Sequence, residues 1–114
     1  MMSETLFTRI IDRTLPAKIL YEDEHCLAFE DIHPQAPFHC LLIPKKPLAQ
    51  LNQSTPEDKM LLGHLLQIAP HVAAQAGHPD DFRLVINNGA GAGQTVFHLH
   101  LHILAGRSFT WPPG

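Results

Sequence analysis

Apolar positions along this chain follow several spacings, and each predicts an element. In TLFTRIIDRT (5–14), Phe7, Ile10 and Ile11 recur at helical spacing, with Ser3 as the candidate N-cap and Pro16 marking the end. KILY (18–21) and HCLAFE (25–30) read as two strands around an acidic turn. After the proline-rich corner HPQAP (33–37), FHCLLIP (38–44) predicts a third strand, closed by Pro44 and Pro47. Ser54 and Thr55, then Pro56, Glu57 and Asp58, make a strong helix start, with acids at the positive end of the dipole. Met60, Leu61, Leu65, Ile68 and Val72 should line one side of that helix, and Gly77 should end it. Pro70 removes the bond to the carbonyl of Leu66, which predicts a kink or a second segment. FRLVIN (82–87) is a fourth strand, NGAGAGQT (88–95) a glycine loop, and VFHLHLHIL (96–104) a last strand. No repeat, linker or low-complexity stretch interrupts this order. Helix, three strands, long helix and two strands indicate one α+β domain over residues 1–114 with a mostly antiparallel sheet.

Composition narrows the class. Hydrophobic residues make up 45% of the 114 and charged residues 17%, a globular balance. A formal net charge of −3 and no long basic run argue against a nucleic-acid or anionic-membrane surface. No apolar stretch is long enough to span a bilayer, and the first residues lack a signal-peptide layout. Cys26 and Cys40 are too few for a disulfide framework or a zinc knuckle and read as reduced core thiols, so a cytoplasmic setting is expected. The unusual count is nine histidines.

Three of them, His98, His100 and His102, alternate with Leu99, Leu101 and Ile103. On a strand the histidines share one face and the apolar residues the other. The apolar residues account for the strand; they do not account for the imidazoles. An indifferent solvent-facing surface would use Thr, Lys or Glu. A single metal ion held by all three is disfavoured, because positions i and i+4 lie roughly 13 Å apart; two of the three plus a distant ligand remains open. Nucleophilic catalysis at phosphorus is the third reading. Neutral imidazole is a nucleophile near pH 7 when its other nitrogen carries the proton and donates it to an acceptor. Its neighbours at i±2 can then hold phosphoryl oxygens. The adjoining GAGAGQT loop suits an anion, since glycines let backbone N–H groups approach closely and Gln94 and Thr95 add donors.

HLHLHIL matches the signature of histidine-triad (HIT) proteins. LFTRIIDRTLPAKILYEDEHCLAFEDIHPQAPFHCLLIPKKP and NNGAGAGQTVFHLHLHILAGRSFTWPPG resemble the two halves of its HINT branch, the histidine-triad nucleotide-binding proteins, least clearly at residues 50–80. The resemblance implies a HIT-like fold, a five-stranded antiparallel sheet with two helices, and a homodimer with one continuous ten-stranded sheet. It implies hydrolysis of purine nucleoside 5′-phosphoramidates without a cofactor or metal. In that reading His100 is the nucleophile, His98 and His102 flank it, and His102 contacts the phosphate. His39 stands behind the triad, and Thr95, where the family often has serine, donates a hydroxyl near the phosphate or leaving group. Gly93 and Gln94 line the phosphate site, Asn87 binds the ribose–phosphate side, and Asp31 binds the ribose. Phe7, Ile10, Phe29 and Ile32 form the base pocket, and Trp111 lies in a tail reaching toward the partner's site. His25, His33, His64, His71 and His78 receive no role. The absence of a zinc-binding cysteine pair and the WPPG ending argue against the zinc-carrying and dinucleoside-polyphosphate branches. A nucleotide-binding interaction protein with little turnover is the alternative.

Overall fold

The computed structural model describes residues 4–114, so Ser3 lies outside the described residues. Helix α1 spans Leu6–Ile11, and Thr5 is its N-cap. Thr5 Oγ1 accepts from the N–H groups of Phe7 and Thr8, and Thr8 Oγ1 accepts the Thr5 N–H in return, the reciprocal pairing of a capping box. The helix is shorter than expected and stops well before Pro16. Asp12 Oδ1 accepts from both the N–H and the hydroxyl of Thr14, while Arg13 takes a left-handed φ of 69°, which turns the chain out of the helix.

Strands β1 (Ile19–Glu22), β2 (Cys26–Glu30) and β3 (Phe38–Pro44) follow as two antiparallel pairs. Short 3₁₀ turns at Leu51–Gln53 and Pro56–Asp58 lead into α2, Lys59–Gln75. The Thr55–Pro56–Asp58 start holds: Thr55 N–H donates to Asp58 Oδ2 at 2.9 Å. α2 runs through Pro70 as one element, not two. Leu65, Ala69, Val72 and Ala73 are its buried stripe, whereas Met60, expected on the apolar side, is 86% exposed because it lies five residues before Leu65, roughly 140° around the helix from it. Gly77, at φ +93°, follows the end of the helix.

Strands β4 (Phe82–Val85) and β5 (Leu101–Ala105) complete a five-stranded antiparallel sheet in the order β1-β2-β3-β5-β4. Alternation divides its side chains cleanly. Cys26, Ala28, Cys40, Leu42, Leu101 and Ile103 pack under α2, while Leu27, Phe29, Leu41 and Ile43 pack with Phe7 and Ile10 of α1 on the other face. The last strand begins later than the histidine pattern predicts. Residues 96–98 bend, and Leu99 N–H donates to Leu48 O at 2.6 Å instead of to a neighbouring strand. Only His102 of the three histidines therefore lies within a regular strand.

Candidate functional site

His102 faces the α1 side of the sheet, paired in register with Leu41 on β3. Its ring meets His39 from the same strand: His39 Nε2 and His102 Nδ1 are 2.9 Å apart. The backbone N–H of Gln35 donates to His39 Nδ1 at 3.0 Å. In the neutral ring the His39 proton therefore sits on Nε2, where it is given to His102 Nδ1. Asp31 Oδ2 stands 3.4 Å from the same Nε2, while Asp31 Oδ1 accepts the His33 N–H at 2.8 Å. With Nδ1 accepting, neutral His102 must carry its proton on Nε2, as a donor. Burial, reinforced by His100 and His39, pushes the His102 pKa down to about 4, so this ring is neutral at pH 7. Burial also lowers His39, with Asp31 opposing.

His100 has the opposite tautomer. Its Nδ1 lies 2.8 Å from the carbonyl of His98, which can only accept, so Nδ1 carries the proton and Nε2 keeps the lone pair. The bend at 96–98 brings that carbonyl back toward the ring two residues on. Phe7 packs edge-on against His100 at 5.0 Å between ring centroids, and the His100 and His102 rings are 5.1 Å apart. His98 is a strut: 1% exposed, it donates from Nε2 to Pro44 O at 2.7 Å. Its Nδ1 is buried without a hydrogen-bond partner, and burial lowers its pKa. One lone pair poised on His100 Nε2 and one N–H on His102 Nε2 are what nucleophilic attack on an anionic centre requires.

The glycine loop is built differently from a simple cradle. Ala92, Gly93 and Gln94 donate their N–H groups to Gly89 and Ala90 carbonyls within the loop. Gln94 is 3% exposed and turned inward. Its Oε1 accepts the Gly89 N–H, and its Nε2 donates to Ala49 O and Val96 O. Its side chain is thus engaged in closing the loop and anchoring it to the segment after β3, which corrects the expectation of a Gln94 donor to phosphate. Gly93 has φ +97°, and a Cβ there would stand 3.9 Å from the Asn87 amide, so loop and Asn87 lie side by side. Thr95 is exposed at the loop exit.

The apolar set divides. Phe7, Ile10 and Phe29 are buried together, with Phe7 and Phe29 rings 5.4 Å apart, whereas Ile32 is 85% exposed beside Asp31. Trp111 is 83% exposed in a tail held by Arg83 Nη2 on Thr110 O and by Arg83 and Arg107 over the Phe109 ring. A groove of about 760 Å³ lies between Gly106–Phe109 and the segment from His78 to Arg83, and none of the three histidines lines it. Two participants escaped the sequence reading: the Gln35 N–H and the Pro44 carbonyl. Both are backbone groups with no side-chain signature; the prolines around 34–44 were the only hint of a fixed path there. Asp31, His39 and His102 place potential ligand atoms within 4.8 Å of one another, the set in this site with a donor composition suited to a metal.

The chain is similar to known proteins over nearly its whole length. The HIT domain model matches residues 12–109. An uncharacterised HIT-like protein of Synechocystis sp. is 67% identical over 100% of both chains. The crystal structure of a HIT family hydrolase from Legionella pneumophila Philadelphia 1 superposes with a TM-score of 0.94 at 46% identity, covering 97% of this chain and 100% of that one. A HIT family hydrolase from Clostridium thermocellum superposes at 0.91 with 40% identity, covering 96% of each.

Proposed function

The chain belongs to the HIT domain family, and from that premise we propose that it is a nucleoside phosphoramidase of the HINT type. The observation that carries the reading is the paired tautomer arrangement: a lone pair on His100 Nε2 beside an N–H on His102 Nε2, each fixed by its other ring nitrogen. His100 Nε2 attacks the α-phosphorus in line, the P–N bond to the amine breaks, and the amine takes a proton as it leaves. Water then attacks the phosphorus, the P–N bond to His100 breaks, and a nucleoside monophosphate is released. His102 Nε2–H and the Thr95 hydroxyl hold the phosphoryl oxygens, and His98 fixes the carbonyl that orients His100. Asp31 and Asn87 bind the ribose and its phosphate side, and backbone at Gly93 and Gln94 borders the phosphate. Phe7, Ile10 and Phe29 form the floor of the base site, with Ile32 as its exposed wall. The reaction needs no metal.

The assembly in this reading is a homodimer. β1 is an irregular edge, its register shifting between Ile19 and Tyr21, whereas β4 is the regular outer strand and would join its counterpart into a ten-stranded sheet. Trp111, exposed in the single chain, then borders the partner's leaving-group side. The rival is a nucleotide-binding protein with little turnover, using the same pocket. Alkaline quenching during turnover of adenosine 5′-phosphoramidate, followed by peptide mass spectrometry, separates the two. The proposal requires an adenylyl group on the peptide carrying His100; AMP release without such an adduct excludes the covalent route, and tight AMP binding without release supports the rival.

A further inference from the structure

A second cluster of chemistry-bearing side chains lies on the opposite face of the sheet, and it does not depend on the proposed reaction. At the turn between β1 and β2, Asp23 Oδ1 accepts the N–H groups of His25 and Cys26 at 2.8 and 2.9 Å. Its Oδ2 accepts the Tyr21 hydroxyl at 2.9 Å and His64 Nε2–H, from α2, at 2.6 Å. Cys26, fully buried, belongs to the core beneath α2. A carboxylate oxygen of Asp23, Cys26 Sγ and His64 Nε2 all lie within 4.8 Å of one another. The His25 ring, exposed on the turn, is 5.6 Å from that of His64. Side chains of His64 and Asp23 are 32% and 24% exposed, which leaves a path from solvent.

We propose that Asp23, Cys26 and His64 form a binding site for a thiophilic divalent cation of the zinc type, which clasps α2 to the β1–β2 hairpin. One oxygen, one nitrogen and one sulfur are the donor set of zinc; magnesium and calcium require oxygen throughout. Ligand atoms around a tetrahedral zinc stand about 3–4 Å apart, so adjustments of roughly 1 Å suffice. The fourth position goes to water or to His25. On binding, Cys26 releases its thiol proton to solvent, and His64 ligates through Nε2 as the neutral tautomer that carries its single proton on Nδ1. The Asp23 carboxylate is already oriented by two backbone N–H groups and the Tyr21 hydroxyl, the kind of outer support that fixes metal ligands.

Cobalt(II) is the probe, because a thiolate ligand gives it an intense ultraviolet charge-transfer band. The full chain, stripped with chelator and dialysed, is titrated with Co²⁺ and back-titrated with Zn²⁺. We expect one equivalent of Co²⁺ with the thiolate band, displaced by Zn²⁺. The band should be absent in Cys26→Ala, and affinity should fall about 10-fold or more in Tyr21→Phe and further in His64→Gln. His39→Gln, in the other histidine cluster, should leave the band unchanged. Absence of the thiolate band from wild type overturns the proposal whatever the variants do. So does undiminished affinity in His64→Gln, or loss of the band in His39→Gln.

Discussion

Each imidazole of the site has its proton placed by a neighbour of fixed polarity. The Gln35 N–H can only donate and the His98 carbonyl can only accept, and from these two facts the tautomers of His39, His102 and His100 follow in turn. His39 is therefore a positioning residue, acting through His102. In His39→Ala, His102 Nδ1 loses its donor and the ring can adopt the wrong tautomer. We expect kcat to fall about 10–100-fold, the equivalent of one lost buried hydrogen bond, with the Kd for AMP little changed. His39→Gln, which retains an N–H donor, should recover part of the loss; equal defects in both variants would make the role one of packing alone. Gln94 is the corresponding anchor of the loop. Gln94→Ala leaves one N–H and two carbonyls of half-buried residues without their partner, and chemical denaturation should show a loss of about 1–3 kcal/mol.

At the scale of elements, β5 and the bend before it decide where the histidines point. The alternation of HLHLH is a strand signal, and it correctly separates the imidazoles from the leucines that fill the α2-side core. It does not foresee that Leu99 bonds to Leu48, because that contact joins segments far apart in sequence and leaves no trace in periodicity. β2 and β3 were legible almost to the residue, since their apolar runs are bounded by turn residues and proline. The apolar spacing of α1 stops at Ile11, as the helix does; the expected continuation to Thr14 fails because Asp12 and Arg13 end the helix through side-chain and backbone geometry. The end of β5 is set by Gly106, at φ +95°, where an added Cβ would come within 2.9 Å of Pro37 Cβ. Gly106→Ala combines a strained φ with a clash against a rigid ring and should lower stability by about 1–3 kcal/mol, read as a fall in Tm. Pro70 predicts the opposite sign. It is exposed within α2 and denies the Leu66 carbonyl a partner, so Pro70→Ala should raise Tm, by an amount up to about 3 kcal/mol in stability.

Over the whole molecule, one sheet separates two uses of histidine: the reactive cluster on the α1 face, and His64 and His71 of α2 with His78 just beyond it, set against Asp23, Tyr21 and Phe38. The first was legible from its motif, though His39 and Asp31 joined it only through the family resemblance, 63 positions of sequence separating His39 from His102. The second carried no motif at all. No helix among the described residues is long and apolar enough to cross a membrane. His39, His98 and His102 are all held below their ordinary pKa of 6.5, chiefly by burial. The unfolded chain therefore takes up protons that the folded chain refuses. Their contribution is fully present above pH 6.5 and is lost as pH falls toward the folded values, which for His102 is about 4. Thermal unfolding should accordingly show Tm falling across that window, and His102→Gln should flatten the slope.

The most direct test of the central claim is the rate of AMP release from adenosine 5′-phosphoramidate by the wild type and by His100→Gly, measured side by side with AMP affinity. The account predicts ready release by the wild type, a loss of at least about a thousandfold in the variant, and AMP bound by both. Release by His100→Gly at a rate near that of the wild type would contradict it.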